Sequence, residues 1–96
     1  MLLVERDTPE GLLVSVCDES DLGETFENGE VSITADPSFY DGEAVDAEAV
    51  TDALARCDVA NIVGTESVRV AVEAGFVAEA NVLDLDGTRH AQYLRL

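Results

Sequence analysis

The chain has 96 residues, 47% of them hydrophobic, which is material for a single domain (residues 1–96) with one real core. Its 21 acidic residues face five basic ones, all arginine; lysine is absent and the net charge is -16. Disorder requires low hydrophobicity as well as high charge and is excluded for most of the chain; a membrane span needs roughly 20 apolar residues in a row, and no run approaches that. The charge instead reads as adaptation to concentrated salt, where a Debye length of roughly 3 Å at 1 M screens self-repulsion. Small Ala and Val in place of bulky apolar groups fit the same picture. The apolar opening "MLLV" stops at Glu5 and does not read as a secretory leader. Together these features point to a cytoplasmic protein of a salt-loving microbe.

Two strands, "LLVER" and "LLVSVC", flank "DTPEG" and predict a hairpin with a loop of several residues, Gly11 taking the left-handed position. "DESDLG" predicts a short helical turn capped by Asp18 and ended by Gly23. "ENG" is a turn into a strand "EVSITA", with Val31 and Ile33 on one face, and "DPSFYDGE" reads as a loop. The clearest helix is "VDAEAVTDALARC". Asp46 is its N-cap, Val50, Ala53, Leu54 and Cys57 form its apolar stripe, and Asp52 and Arg56 form an i,i+4 pair.

"VANIV" is a short buried strand, followed by a helix "ESVRVAVEAG" with Val68, Ala71 and Val72 inward and Gly75 ending it. Asp86-Gly87 joins "NVLDL" to "TRHAQYL" in a tight hairpin, a register that pairs Asp84 with Arg89 and Leu83 with His90. The order is β-β-β-α-β-α-β-β: an α+β domain whose mixed sheet combines two hairpins and a buried strand with two main helices.

Several stretches carry candidate chemistry. "NIVGTES" could cradle an anion at a helix N-terminus, with Gly64 allowing close approach and Thr65 and Ser67 adding hydroxyls. A P-loop needs a longer glycine-rich loop and a lysine, so the stretch reads instead as a strand-to-helix corner, with Glu66 answering the helix dipole. Asn61 sits inside an apolar strand; a buried amide must be paired, so it is either a structural tie or a ligand-facing group. His90, the sole histidine, falls at a core margin by strand alternation and is either structural or a base.

Cys17 and Cys57 read as buried thiols, with no partner at ligand spacing. The acidic run from Asp18 to Glu30 fails the calcium-loop template at positions three, five and twelve. No catalytic residue, metal ligand or cofactor is assigned. Phe39 and Tyr40 lie on the "SFYDGE" loop, where a strand-like course points them to opposite sides: either one ring enters the core and a half-exposed Tyr40 serves as a docking anchor, or both rings close the end of the core.

"SFYDGE", the acidic helix after it, "ANIVGTESVRVAVEAGFV" and "HAQYLRL" together resemble a small archaeal family catalogued as domain of unknown function 424. The likeness runs from "CDESDLGETF" to the end, with Phe39, Tyr40, Gly42, Glu43, Asn61, Gly64, Gly75, His90 and Gln92 at its motif positions. The resemblance implies an archaeal cytosolic protein and no established activity.

The leading expectation is a non-catalytic binding module that docks a protein partner through the Phe39-Tyr40 loop, associated by analogy with archaeal translation or RNA machinery. The alternative is a small-ligand or catalytic pocket built from Asn61, His90, Gln92, Glu43 and Tyr40, which requires these groups to converge. Direct nucleic-acid binding is disfavoured: Arg89, Tyr93 and Arg95 share a side, but Asp84 already opposes Arg89.

Overall fold

Apolar alternation and two glycine-containing turns build the sheet from its two ends inward. The structure, a computed structural model, describes residues 1–95. Strand β1 (Leu2–Thr8) pairs antiparallel with β2 (Gly11–Cys17), Thr8 opposite Gly11. The connection is therefore a two-residue turn, tighter than the loop expected from "DTPEG". The Thr8 hydroxyl closes it by donating to the Gly11 carbonyl (2.8 Å) and accepting from the Glu10 amide (3.2 Å). At the other end, β7 (Leu83–Leu85) and β8 (Thr88–Leu94) take the expected register, Asp84 opposite Arg89 and Leu83 opposite His90.

The central strand β6 (Val59–Val63) joins these two hairpins, parallel to β2 and antiparallel to β8. With β5 (Glu43–Ala44) on the outer edge of β1, the order across the sheet is β5-β1-β2-β6-β8-β7. A second, two-stranded sheet pairs β3 (Thr25–Asn28) with β4 (Val31–Thr34). The sequence reading anticipated β4 but not β3, and it read residues 36–43 as loop. That segment holds a short helix, α1 (Pro37–Tyr40), and the start of β5. Its local signals are a capping Asp36, whose side chain accepts from the Ser38 amide, and Pro37 at the first helical position.

Helix α2 (Ala47–Arg56) starts at Asp46, whose carboxylate accepts from the Ala49 amide at 3.0 Å. Its stripe of Val50, Ala53, Leu54 and Cys57 is fully buried as expected. Arg56 reaches Glu5 on β1 (2.8 Å) instead of the expected Asp52 one turn back. Helix α3 (Thr65–Glu73) buries Ser67, Val68, Val70 and Ala71, while Val72 is only partly covered. Gly75 then takes φ +86°, and the amides of Gly75 and Phe76 return to the carbonyls of Val72 and Ala71, ending the helix as a left-handed glycine stop does.

Both helices cover one face of the sheet. Val14, Val16, Ala60, Ile62 and Ala91 meet them there in the main core. Because strand side chains alternate, Leu13, Ser15, Cys17, Asn61, Val63, His90 and Gln92 point to the other face. A smaller cluster of Cys17, Ala35, Tyr40 and Val63, with Leu22 and Ile33 against it, seals part of that face beneath α1 and the β3–β4 hairpin. Both cysteines are free and buried. The mixed sheet with its two main helices on one side is the α+β architecture read from the sequence.

Leu54 fills the middle of the main core, whereas Leu94 is 62% exposed on β8. Leu54→Ala is expected to lower unfolding free energy in denaturant by about 2–5 kcal/mol. Leu94→Ala should stay within about 0.5 kcal/mol of the parent.

Candidate functional site

Because β2 and β6 run parallel, their C-terminal ends lie side by side. The residue after β2 is Asp18, and the residue after β6 is Gly64. The Asp18 amide donates to the Val63 carbonyl at 3.0 Å, extending the ladder by one step. Its carboxylate then crosses to the start of α3. It accepts from the amides of Glu66 (3.0 Å) and Ser67 (2.9 Å) and from the Ser67 hydroxyl (2.6 Å). The anion position at this helix N-terminus is thus filled by the protein's own carboxylate.

Gly64 is required there twice over. Its φ of +128° is open to glycine alone, and a Cβ would lie 2.3–2.7 Å from the Asp18 side chain. Two expectations are corrected here. Asp18 makes no side-chain cap to the short turn Glu19–Asp21 that follows it. Glu66, expected to answer the dipole, is exposed and instead pairs with Arg69, which also holds Glu73 at 2.7 Å. Hydrogen bonding to Arg69 keeps the Glu66 carboxyl below the usual carboxylate range.

The second feature lies on the sheet face opposite the helices. A cavity of about 450 Å³ has a floor of Leu13, Ser15, Asn61, His90 and Gln92 and walls of Ser32, Ile33, Thr34, Asp36, Phe39 and Tyr40. Five of the eight candidates from the sequence reading meet here: Phe39, Tyr40, Asn61, His90 and Gln92. Glu43 does not, because it lies on β5 at the sheet edge opposite Leu3; Gly64 and Thr65 belong to the α3 corner. The sequence reading missed Asp36, Leu13, Ser15 and the β4 residues; of these only Asp36 carried a local signal, its cap before proline.

The polar groups of the floor are oriented by the register. Asn61 and Gln92 are directly opposite across β6 and β8, and the Gln92 Nε2 donates to Asn61 Oδ1 at 2.9 Å. Asn61 is therefore tied by a strand neighbour and lines the cavity as well. His90 Nδ1 lies 2.9 Å from the Ile62 carbonyl oxygen. A carbonyl only accepts, so Nδ1 carries the proton and neutral His90 keeps a lone pair on Nε2. Burial pushes the His90 pKa below its ordinary 6.5, outweighing the contact with Ile62.

The two adjacent rings have opposite fates. Tyr40 is 8% exposed and part of the smaller core, so the expectation of Tyr40 as a half-exposed surface anchor is corrected. Burial raises its phenol to about 12, keeping it neutral. Phe39 is the exposed ring, at 53%, with the Arg6 guanidinium 5.5 Å from its centroid. Successive helical residues point about 100° apart, and this turn sends one ring inward and leaves the other at the rim.

The chain matches the family model described as "Protein of unknown function (DUF424)" over residues 5–96. It belongs to that family, whose function is unknown. No curated protein matches it. A solved crystal structure of an uncharacterized conserved protein from Methanopyrus kandleri is 23% identical, with a TM-score of 0.77 over 99% of this chain and 93% of that chain. That similarity shows a shared fold. Among the described residues no helix is long and apolar enough to cross a membrane, and no group of three or more His, Cys, Asp or Glu is arranged to hold a metal ion.

Two outcomes follow from this geometry. Asp18→Asn, which keeps the shape and removes the charge, should cost about 1.5–3 kcal/mol in denaturant unfolding, whereas Glu66→Gln should cost under about 1 kcal/mol. Lowering the pH tests His90. The unfolded chain takes up the imidazole proton near 6.5 and the folded chain only below that. The His90 contribution to stability is therefore complete above 6.5 and declines as pH falls through the depressed folded value. Subtracting the stability–pH curve of His90→Gln from that of the parent should isolate this decline from the carboxylate titrations common to both.

Proposed function

We propose that this chain is a binding module whose site is the cavity on the sheet face opposite α2 and α3, and that it takes a small polar ligand. One observation carries this reading: Phe39, Tyr40, Asn61, His90 and Gln92, drawn from α1, β6 and β8, meet around one space of about 450 Å³. That size suits a small molecule, and a mixed lining of apolar walls with a few fixed polar groups is what such sites use. Polar groups of the lining are held in place: Asn61 and Gln92 by each other, Asp36 by Ser38 behind it, and Thr34 by Thr25 at 2.8 Å. Such pairing fixes orientation for recognition, and we read the site as binding without turnover.

A second reading is docking of a protein partner, favoured by Phe39 standing half in solvent at the rim. Any role beside archaeal translation or RNA handling would run through such a partner. Direct contact with a phosphate backbone has little support, since Arg6, Arg56, Arg69, Arg89 and Arg95 are each already bonded within the chain. We also keep the halophilic, cytoplasmic setting as part of this proposal, on the strength of the net charge of -16 and the absence of lysine.

The test is an amide NMR screen of the ¹⁵N-labelled chain against neutral, cationic and anionic fragments. The cavity reading predicts saturable shifts confined to residues around 13–15, 61 and 90–92, weakened about 10-fold by Gln92→Ala, a loss of one directed hydrogen bond. Shifts scattered over the surface, or none from any fragment, would refute it. Partner docking predicts a different result: Phe39→Ala loses a stoichiometric protein captured from native extract and leaves fragment binding intact.

A further inference from the structure

Resting on the cavity reading, the lining residues also fix what kind of ligand fits. We infer that the cavity selects a small planar cation rich in N–H donors, of the guanidinium or amidinium class, and rejects anions. The first ground is charge. Asp36 lines the cavity, and its Oδ1 accepts from both the amide and the hydroxyl of Ser38 at 2.9 Å. These bonds hold the carboxyl below the usual carboxylate range, while its Oδ2 accepts nothing from the described residues.

No arginine is in the lining, and the chain has no lysine. Arg6 donates to the Ser38 and Phe39 carbonyls, Arg56 to Glu5, Arg69 to Glu66 and Glu73, Arg89 to Glu79 and Asp84, and Arg95 to the Ala55 carbonyl. Burial disfavours the His90 cation. The lining thus holds one carboxylate and no cation of its own, with the Arg6 guanidinium outside it against Phe39 and the Ser38 carbonyl. An entering anion meets repulsion there, and an entering cation meets attraction.

The second ground is the pattern of hydrogen-bonding groups. Whichever way the Asn61 and Gln92 amides are turned, their mutual bond leaves one amide carbonyl and one NH₂ group for a ligand. Nε2 of His90 offers a lone pair, and so does Oδ2 of Asp36. These acceptors come from β6, β8 and the start of α1, so a ligand must donate in several directions at once. A guanidinium does so with five N–H groups in one plane, and an ammonium concentrates its donors at one point.

The third ground is the wall. The rings of Phe39 and Tyr40 line it, and an aromatic face attracts a flat cation. The protein already displays this chemistry once: Arg6 lies over Phe39 at 5.5 Å while donating to the Ser38 carbonyl at 2.5 Å.

The experiment titrates the labelled chain at constant ionic strength with agmatine (a guanidinium), putrescine (an ammonium on a comparable chain) and glutarate (a dianion). The side-chain NH₂ signals of Asn61 and Gln92 report the cavity. Agmatine is expected to shift them saturably, with at least about 10-fold higher affinity than putrescine, and glutarate is expected to leave them unmoved. Asp36→Asn should weaken agmatine about 10-fold. Asparagine caps a helix as well as aspartate, so α1 survives that change. Asp52→Asn, the same loss of charge on exposed α2 across the sheet, should have no effect.

Glutarate shifting the cavity signals as strongly as agmatine would overturn the inference and leave the cavity reading standing. So would agmatine binding equally weakened by Asp36→Asn and Asp52→Asn, which is attraction to the acidic surface at large. Silence of the cavity signals toward all three probes would also overturn it; the wider fragment screen judges the cavity itself.

Discussion

The fold turns on a single carboxylate. Asp18 leaves the end of β2 and closes the N-terminus of α3, which begins at the end of the neighbouring parallel strand β6. Parallel strands deliver their C-terminal ends to the same place, which is why the two segments meet although 45 residues lie between Asp18 and Gly64. The contact ties the end of the strand to the start of the helix with three hydrogen bonds to one side chain. It also determines what the corner can no longer do: with the Glu66 and Ser67 amides and the Ser67 hydroxyl engaged by Asp18, the one stretch that resembles an anion cradle already holds a carboxylate.

The same pattern holds across the charged surface. A chain with five cations against 21 anions has few positive groups to place, and each arginine pins one element to another or braces its own helix. Arg89 joins β8 to β7 and to the turn at Glu79; Arg56 joins α2 to β1; Arg6 joins β1 to α1. Individually such exposed pairs contribute little to stability. Collectively they leave each arginine among the described residues bonded within the chain, while the cavity over β2, β6 and β8 holds polar side chains that are fixed in orientation and open to a ligand.

Much of this was legible in the sequence where the governing interactions are local. Asp86-Gly87 dictates a two-residue turn, and that alone fixes Asp84 opposite Arg89. Asp46 and Gly75 mark helix ends through bonds made within one turn of themselves. The assignments that failed depend on distant partners. Asp18 looks like a cap for the turn beside it, because nothing near it in sequence reveals α3. Asn61 looks anomalous in an apolar strand until β8 brings Gln92 opposite. The division of roles between Phe39 and Tyr40 has a different cause: aspartate before proline starts a helix at Pro37, and a helix rotates adjacent rings apart, whereas a strand-like loop would set them on opposite sides. The candidate site was legible as a set of residues and not as a place, since convergence follows from strand order.

The central claim is that the helix-end anion site is satisfied internally, so that recognition falls to the cavity. A phosphate titration followed through the backbone amides of Glu66 and Ser67 tests it most directly, in the parent chain and in Asp18→Ala. The account predicts that these amides ignore phosphate in the parent and respond to it once the carboxylate is gone. Saturable phosphate shifts at Glu66 and Ser67 in the parent chain would contradict it.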